Sequence, residues 1–141
     1  MSKRPITVAL ANADLPAATA ALSQDVVFHS PVLATVADEV RGHALVVQIL
    51  QTAIDCYGLP RNVDEFVNPD GRYIVTFDGT IDGNLLNVAV LFTENAAGKV
   101  DSLRIFMRPW PIVKLFREYM QRHLSPDPIP EAIFALPATV S

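Results

Sequence analysis

The sequence predicts an α+β fold in which helices flank a block of antiparallel strands. Three observations carry this. Apolar residues recur at helical spacing from Leu45 to Tyr57 and again from Ile112 to Met120. Between them the period changes to two, the alternation of a half-buried strand. Within that region Asp82-Gly83 separates two alternating runs, a strong signal for a hairpin closed by a two-residue turn.

The elements follow in chain order. Ile6, Ala9 and Leu10 share a helical face, which Asn12 and Asp14 interrupt. Asp14 then serves as N-cap for a second short helix, with Pro16 in the first turn and "AATAAL" running to about Leu22. "VVFHSPV" (Val26–Val32) is a strand that Pro31 ends. From Gly42, the residues Leu45, Val46, Ile49, Leu50, Ala53, Ile54 and Tyr57 form one stripe of a helix that stops at Gly58-Leu59-Pro60. Gln48, Gln51, Thr52 and Asp55 lie on its water side. Asn68-Pro69-Asp70-Gly71 turns between two extended runs. A turn at Asp82-Gly83 then sets Phe77 opposite Val88, Val75 opposite Val90, and Tyr73 opposite Phe92 on one face. It sets Asp78 opposite Asn87, Thr76 opposite Ala89, and Ile74 opposite Leu91 on the other. Gly79 and Gly83 read as hairpin glycines. "KVDSLRIFM" is a further strand that Pro109 halts, with Asp101 sharing the parity of Leu103, Ile105 and Met107. A helix follows at about 111–123, and the prolines of the tail 124–141 forbid regular structure there. We expect one domain spanning residues 1–141.

Composition excludes several classes. With 141 residues, half of them hydrophobic, the chain can bury a proper core unaided. A net charge of −4 without a basic stripe gives no footprint for nucleic acid or an anionic membrane surface. No run reaches the ~20 apolar residues of a membrane span. The single cysteine, Cys56, cannot form an intramolecular disulfide, so a soluble cytoplasmic protein is expected. Its three histidines have no ligand spacing and no phosphate loop occurs, so neither metal nor cofactor is expected.

The order of these elements, the strand ending "FHSP", the helix opening near Arg41-Gly42 and the stretch "GKVDSLRIFMRP" together resemble the nuclear transport factor 2-like superfamily, in particular its SnoaL-like branch, over roughly residues 6 to 110. The resemblance implies a cone, a curved antiparallel sheet wrapped around helices with a pocket at its wide end, and members that commonly pair through the outer sheet face. The apolar face then becomes the pocket lining: Tyr73, Val75, Phe77, Val88, Val90, Phe92, Leu103, Ile105 and Met107, with Tyr57 from the helix. Such walls suit a lipophilic or aromatic small molecule.

The resemblance also directs attention to acids. Ketosteroid isomerases of this fold carry a general-base aspartate directly before the proline ending the first strand, where this chain has Ser30, and a protonated aspartate where it has Val88. An alcohol is no base at neutral pH. Polyketide cyclases and limonene epoxide hydrolases of the fold also use buried aspartates, and the central strands here have none on the pocket face. An enzyme of isomerase, cyclase or hydrolase type therefore needs a different catalytic set, with His29, Ser30 and Asp101 as the candidates. His29 and Ser30 cannot act as a pair, because neighbours on a strand point apart. Tyr57 and Tyr73 can each offer a hydroxyl to a ligand carbonyl. Cys56, at a helix C-terminus, is disfavoured as a thiolate. On the other parity, Ile74, Thr76, Ala89, Leu91 and Phe106 are too apolar as a group to be left in water. A homodimer through that face is expected, with Arg104 and Arg108 meeting Asp78 or Asp101 at its rim and the tail from Pro126 at the pocket mouth or across the interface.

Overall fold

The computed structural model describes residues 3–30 and 39–124. Pro31, Val32 and the tail from Pro126, with the roles expected of them, lie outside the described residues. Two short helices, α1 (Pro5–Ala11) and α2 (Leu15–Ala21), precede strand β1 (Leu22–His29), the two-residue β2 (Val40–Arg41) and α3 (His43–Tyr57). Strands β3 (Arg61–Val67), β4 (Tyr73–Ile81), β5 (Asn84–Glu94) and β6 (Val100–Arg108) follow, and α4 (Trp110–Leu124) packs against α3 and the sheet.

Local chemistry explains the boundaries. The Asp14 carboxylate accepts a hydrogen bond from the Ala17 amide at 3.2 Å, so α2 begins where an N-cap can satisfy a free donor. Helix α3 ends at Gly58, whose φ of +74° is left-handed and whose amide donates to the Ile54 carbonyl at 2.8 Å. Asp82 and Gly83 both have positive φ, +51° and +78°, which the primed hairpin turn requires. The β4–β5 register is the one the turn dictates: Tyr73 faces Phe92, Val75 faces Val90 and Phe77 faces Val88.

The six strands form one sheet in the order β2-β1-β6-β5-β4-β3. It is mixed, not purely antiparallel. Strand β1 runs parallel to β6, with Phe28 beside Leu103 and His29 beside Arg104. A parallel pair needs a long connection, so no local turn announces it. The inner face carries the core: Tyr73, Val75, Phe77, Val88, Val90, Phe92 and Leu103 are all buried, against Val46, Ile49, Leu50 and Ala53 of α3. Thr52, expected to meet water, is buried instead and donates to the Gln48 carbonyl at 2.9 Å, the usual way a helix hides a hydroxyl.

Gly79 is no turn residue. It lies within β4, where a Cβ would stand 2.7 Å from Tyr57 Cβ, so its bare backbone is the seat on which the last residue of α3 rests. Phe77 and Phe116 complete that seat, with ring centroids 5.5 Å and 6.2 Å from Tyr57.

Candidate functional site

Between the sheet and the helices lies an apolar cavity of about 20 Å³. That is room for one water molecule and no more. Of the residues expected to line a pocket, Tyr57, Phe77, Val88, Val90, Phe92, Leu103, Ile105 and Met107 surround it. Tyr73 and Val75 share their face but are absorbed into the core beside it. The wall is completed by Ile6 and Leu10 of α1, Leu22 of β1, and Leu50 and Ala53 of α3. Sequence reasoning assigned none of these to the pocket, although the four-residue spacing of Ile6 and Leu10 marks one side of a helix. Ile105 and Met107 face inward yet are only half-buried, so the lining comes nearest the surface along this end of β6.

The three catalytic candidates do not meet. Strand alternation puts Phe28 on the inner face and His29 on the outer one, in register with Arg104. Ser30, just past the end of β1, is buried but does not line the cavity. Asp101 is displaced by a β-bulge: Thr93 pairs with Ser102 and Glu94 with Val100, leaving Asp101 as the extra residue. Its carboxylate accepts from the Thr93 hydroxyl at 3.0 Å, on the outer parity. The shared parity with Leu103 expected from strict alternation is therefore broken, and Val100 takes the buried place.

A second polar group, unforeseen in the sequence, fastens α1 to the sheet. The Tyr73 hydroxyl donates to Glu94 Oε2 at 3.0 Å, and Arg4 Nη1 donates to Glu94 Oε1 at 3.2 Å while its guanidinium sits 5.2 Å from the Tyr73 ring centroid. Glu65 Oε2 accepts from the Arg4 amide at 3.0 Å and from the Thr7 hydroxyl. Burial, then the Glu94 carboxylate, raises the Tyr73 phenol above its ordinary range, so it stays a donor. With that donor committed to Glu94, Tyr73 has none to spare for a ligand. The cluster joins residues some 60 to 90 positions apart, beyond the reach of any local pattern.

On the outer face Asp78 is gripped on both sides. Asn62 donates to Oδ2 and Asn87 to Oδ1, each at 2.8 Å, and these bonds hold its carboxyl below the usual range. A groove of about 370 Å³ runs past them between Asn62 and Arg108, floored by Thr76, Ala89 and Phe106. Among the described residues no three His, Cys, Asp or Glu side chains gather to hold a metal ion, and no helix is long and apolar enough to cross a membrane.

Burial, reinforced by Asp82, pushes the Cys56 thiol up to about 12. At pH 8 only about one thiol in ten thousand is then ionised. We expect iodoacetamide to modify Cys56 far more slowly at pH 8 than it modifies free cysteine, with the rate still climbing at pH 10. Labelling by mass spectrometry checks this, and a plateau below pH 9 would contradict it.

No protein-family model matches the sequence, and no curated protein does. Solved structures do match. An uncharacterised bacterial protein with a cystatin-like fold from Silicibacter pomeroyi is 19% identical with a TM-score of 0.73, over 87% of this chain and 84% of that one. A steroid delta-isomerase from Pseudomonas aeruginosa is 20% identical with a TM-score of 0.69, over 85% and 84%. A SnoaL-like protein of unknown function from Burkholderia thailandensis is 15% identical with a TM-score of 0.60, over 74% and 90%. The mixed sheet around its helices is thus the NTF2-like fold, which this chain shares with NTF2-like and SnoaL-like proteins of known structure.

Proposed function

We propose that the protein binds a small lipophilic or aromatic molecule between the inner face of the sheet and helices α1 and α3. The observation that carries this reading is the hydrocarbon-lined cavity ringed by β4, β5, β6, α1 and α3. At about 20 Å³ it must widen to admit a ligand. Met107 gives it the means, being half-buried, unbranched and free to rotate about three bonds. The lining favours a container over a proton-transfer enzyme, since among the described residues neither a carboxylate nor an imidazole reaches the cavity. The likeness to a steroid delta-isomerase is one of fold. Titration with N-phenyl-1-naphthylamine, a neutral fluorescent lipophile, tests the reading. Saturable enhancement in wild type and its loss in Ala53→Leu, which fills the cavity, are expected. Wild-type protein that gives no saturable response to any apolar probe sinks it.

The outer face supports a second element of the reading, a homodimer. Phe66 and Phe106 are 56% and 55% exposed and Ile74 40%, with Leu91 and Ala89 between them in the register. A two-fold axis lets this patch cover itself. Asp78 and Asp101, expected to meet Arg104 and Arg108, already accept hydrogen bonds from Asn62, Asn87 and Thr93 of their own chain. The apolar rows therefore dominate the contact. Light scattering at micromolar concentration is expected to give twice the chain mass for wild type and the chain mass for Leu91→Glu. A monomeric wild type rejects the dimer, and an unchanged mutant rejects the face.

A further inference from the structure

Tyr57 lines the cavity and is 6% exposed, yet among the described residues its hydroxyl has no hydrogen-bond partner. A buried donor in that position is costly, because the water it bonded in the unfolded chain has not been replaced. A single trapped water is a poor remedy: it needs two or more polar partners, and Tyr57 is the only polar side chain among the described residues that line the cavity. The ring itself is firmly held. Gly79 lies under its Cβ, and Phe77 and Phe116 sit against it with ring centroids at 5.5 Å and 6.2 Å. The contrast with Tyr73 is informative, since that residue is also buried but its hydroxyl donates its hydrogen to Glu94.

We propose that Tyr57 is the polar anchor of the interior site, donating its hydroxyl hydrogen to the one acceptor oxygen, a carbonyl or ether, of an otherwise hydrocarbon ligand. The inference rests on the reading of the cavity as a binding site and narrows it. An all-hydrocarbon ligand leaves the donor unsatisfied, while a ligand with one acceptor turns the penalty into affinity. A charged or polyhydroxylated ligand is selected against, for apart from Tyr57 the described residues around the cavity present only apolar side chains to its further polar groups. Burial raises the phenol above its ordinary range, so the group remains a donor throughout the pH range in which the protein is handled.

The test uses two probes of nearly the same shape, indane and 1-indanone, on wild type and Tyr57→Phe. NMR titration is expected to show wild type binding 1-indanone about five- to tenfold tighter than indane, the share of one neutral hydrogen bond. Tyr57→Phe is expected to erase that preference while binding indane as wild type does. The infrared carbonyl stretch of bound 1-indanone gives an independent readout on wild type alone. A shift to lower frequency supports the bond, and a stretch like that in hexane overturns it even where the variant fails to fold. Equal affinities of both probes for both proteins overturn the anchor and leave the interior site standing. Absence of binding by either probe removes the site and the anchor together.

Discussion

Phe92→Ala is expected to lower the free energy of unfolding by about 3–5 kcal/mol. Phe92 is 1% exposed, stacks on Tyr73 at 5.2 Å between centroids and also forms part of the cavity wall. Its truncation thus removes a fully buried ring and merges the space with a void already there, so the loss includes a cavity contribution beyond simple transfer. For a domain of ordinary stability that is roughly a fifth of the total or more. Urea denaturation followed by circular dichroism checks it. A loss below about 1 kcal/mol would mean that the wall collapses freely, an outcome the packing of β5 between β4 and β6 opposes. The same variant is expected to take up indane more tightly than wild type, because an enlarged apolar cavity stays dry and accepts apolar guests.

Gly79→Ala is expected to cost about 2 kcal/mol. The sign is the informative part. Where backbone and space allow it, exchanging Gly for Ala stabilises a protein by roughly 0.4–1 kcal/mol through the unfolded chain. Here the new methyl would lie 2.7 Å from Tyr57 Cβ and 3.0 Å from its Cγ. Cβ is fixed by the backbone and cannot swing away by side-chain rotation, so the end of α3 must move, and Phe116 stacks against the ring. Thr80→Ala, at the adjacent and exposed position, serves as the control and is expected to stay within about 0.5 kcal/mol of wild type. Stabilisation by Gly79→Ala would show that Tyr57 does not rest on this strand.

What could be read from the sequence follows the range of the interactions involved. The β4–β5 face was legible to the residue because Asp82-Gly83 leaves one way to close a two-residue loop, and every cross-strand pair then follows by counting. Helix α3 was legible from its stripe, and Asp14 from its capping chemistry. The same counting failed at Asp101, since a bulge inserts a residue without leaving a mark in an alternating run. It failed again for Gly79, where the reason for glycine is a ring that arrives from α3, more than twenty residues earlier in the chain. The fastening of Arg4 and Thr7 to Glu65 and Glu94 was illegible for the same reason. Tyr57 is intermediate. Its place on the stripe was clear, but that its hydroxyl lacks a partner among the described residues is knowable only once those residues have been assembled.

The parallel pairing of β1 with β6 sets the order in which a nascent chain can complete this sheet. Phe28 meets Leu103 about 75 residues later, whereas β4 and β5 meet across a two-residue turn. During synthesis the first strand therefore leaves the ribosome with β6 still untranslated, and the apolar sides of Val26 and Phe28 have the nearby helices and the short β2 for shelter. Closing so wide a loop is entropically dear and raises the contact order, which slows folding. The β4–β5 hairpin is the natural early scaffold, and β6 is the strand that unites the two halves of the chain. The cavity inherits that timing: Leu22 stands on one side of it and Leu103, Ile105 and Met107 on the other, so it does not exist until the last strand is in place.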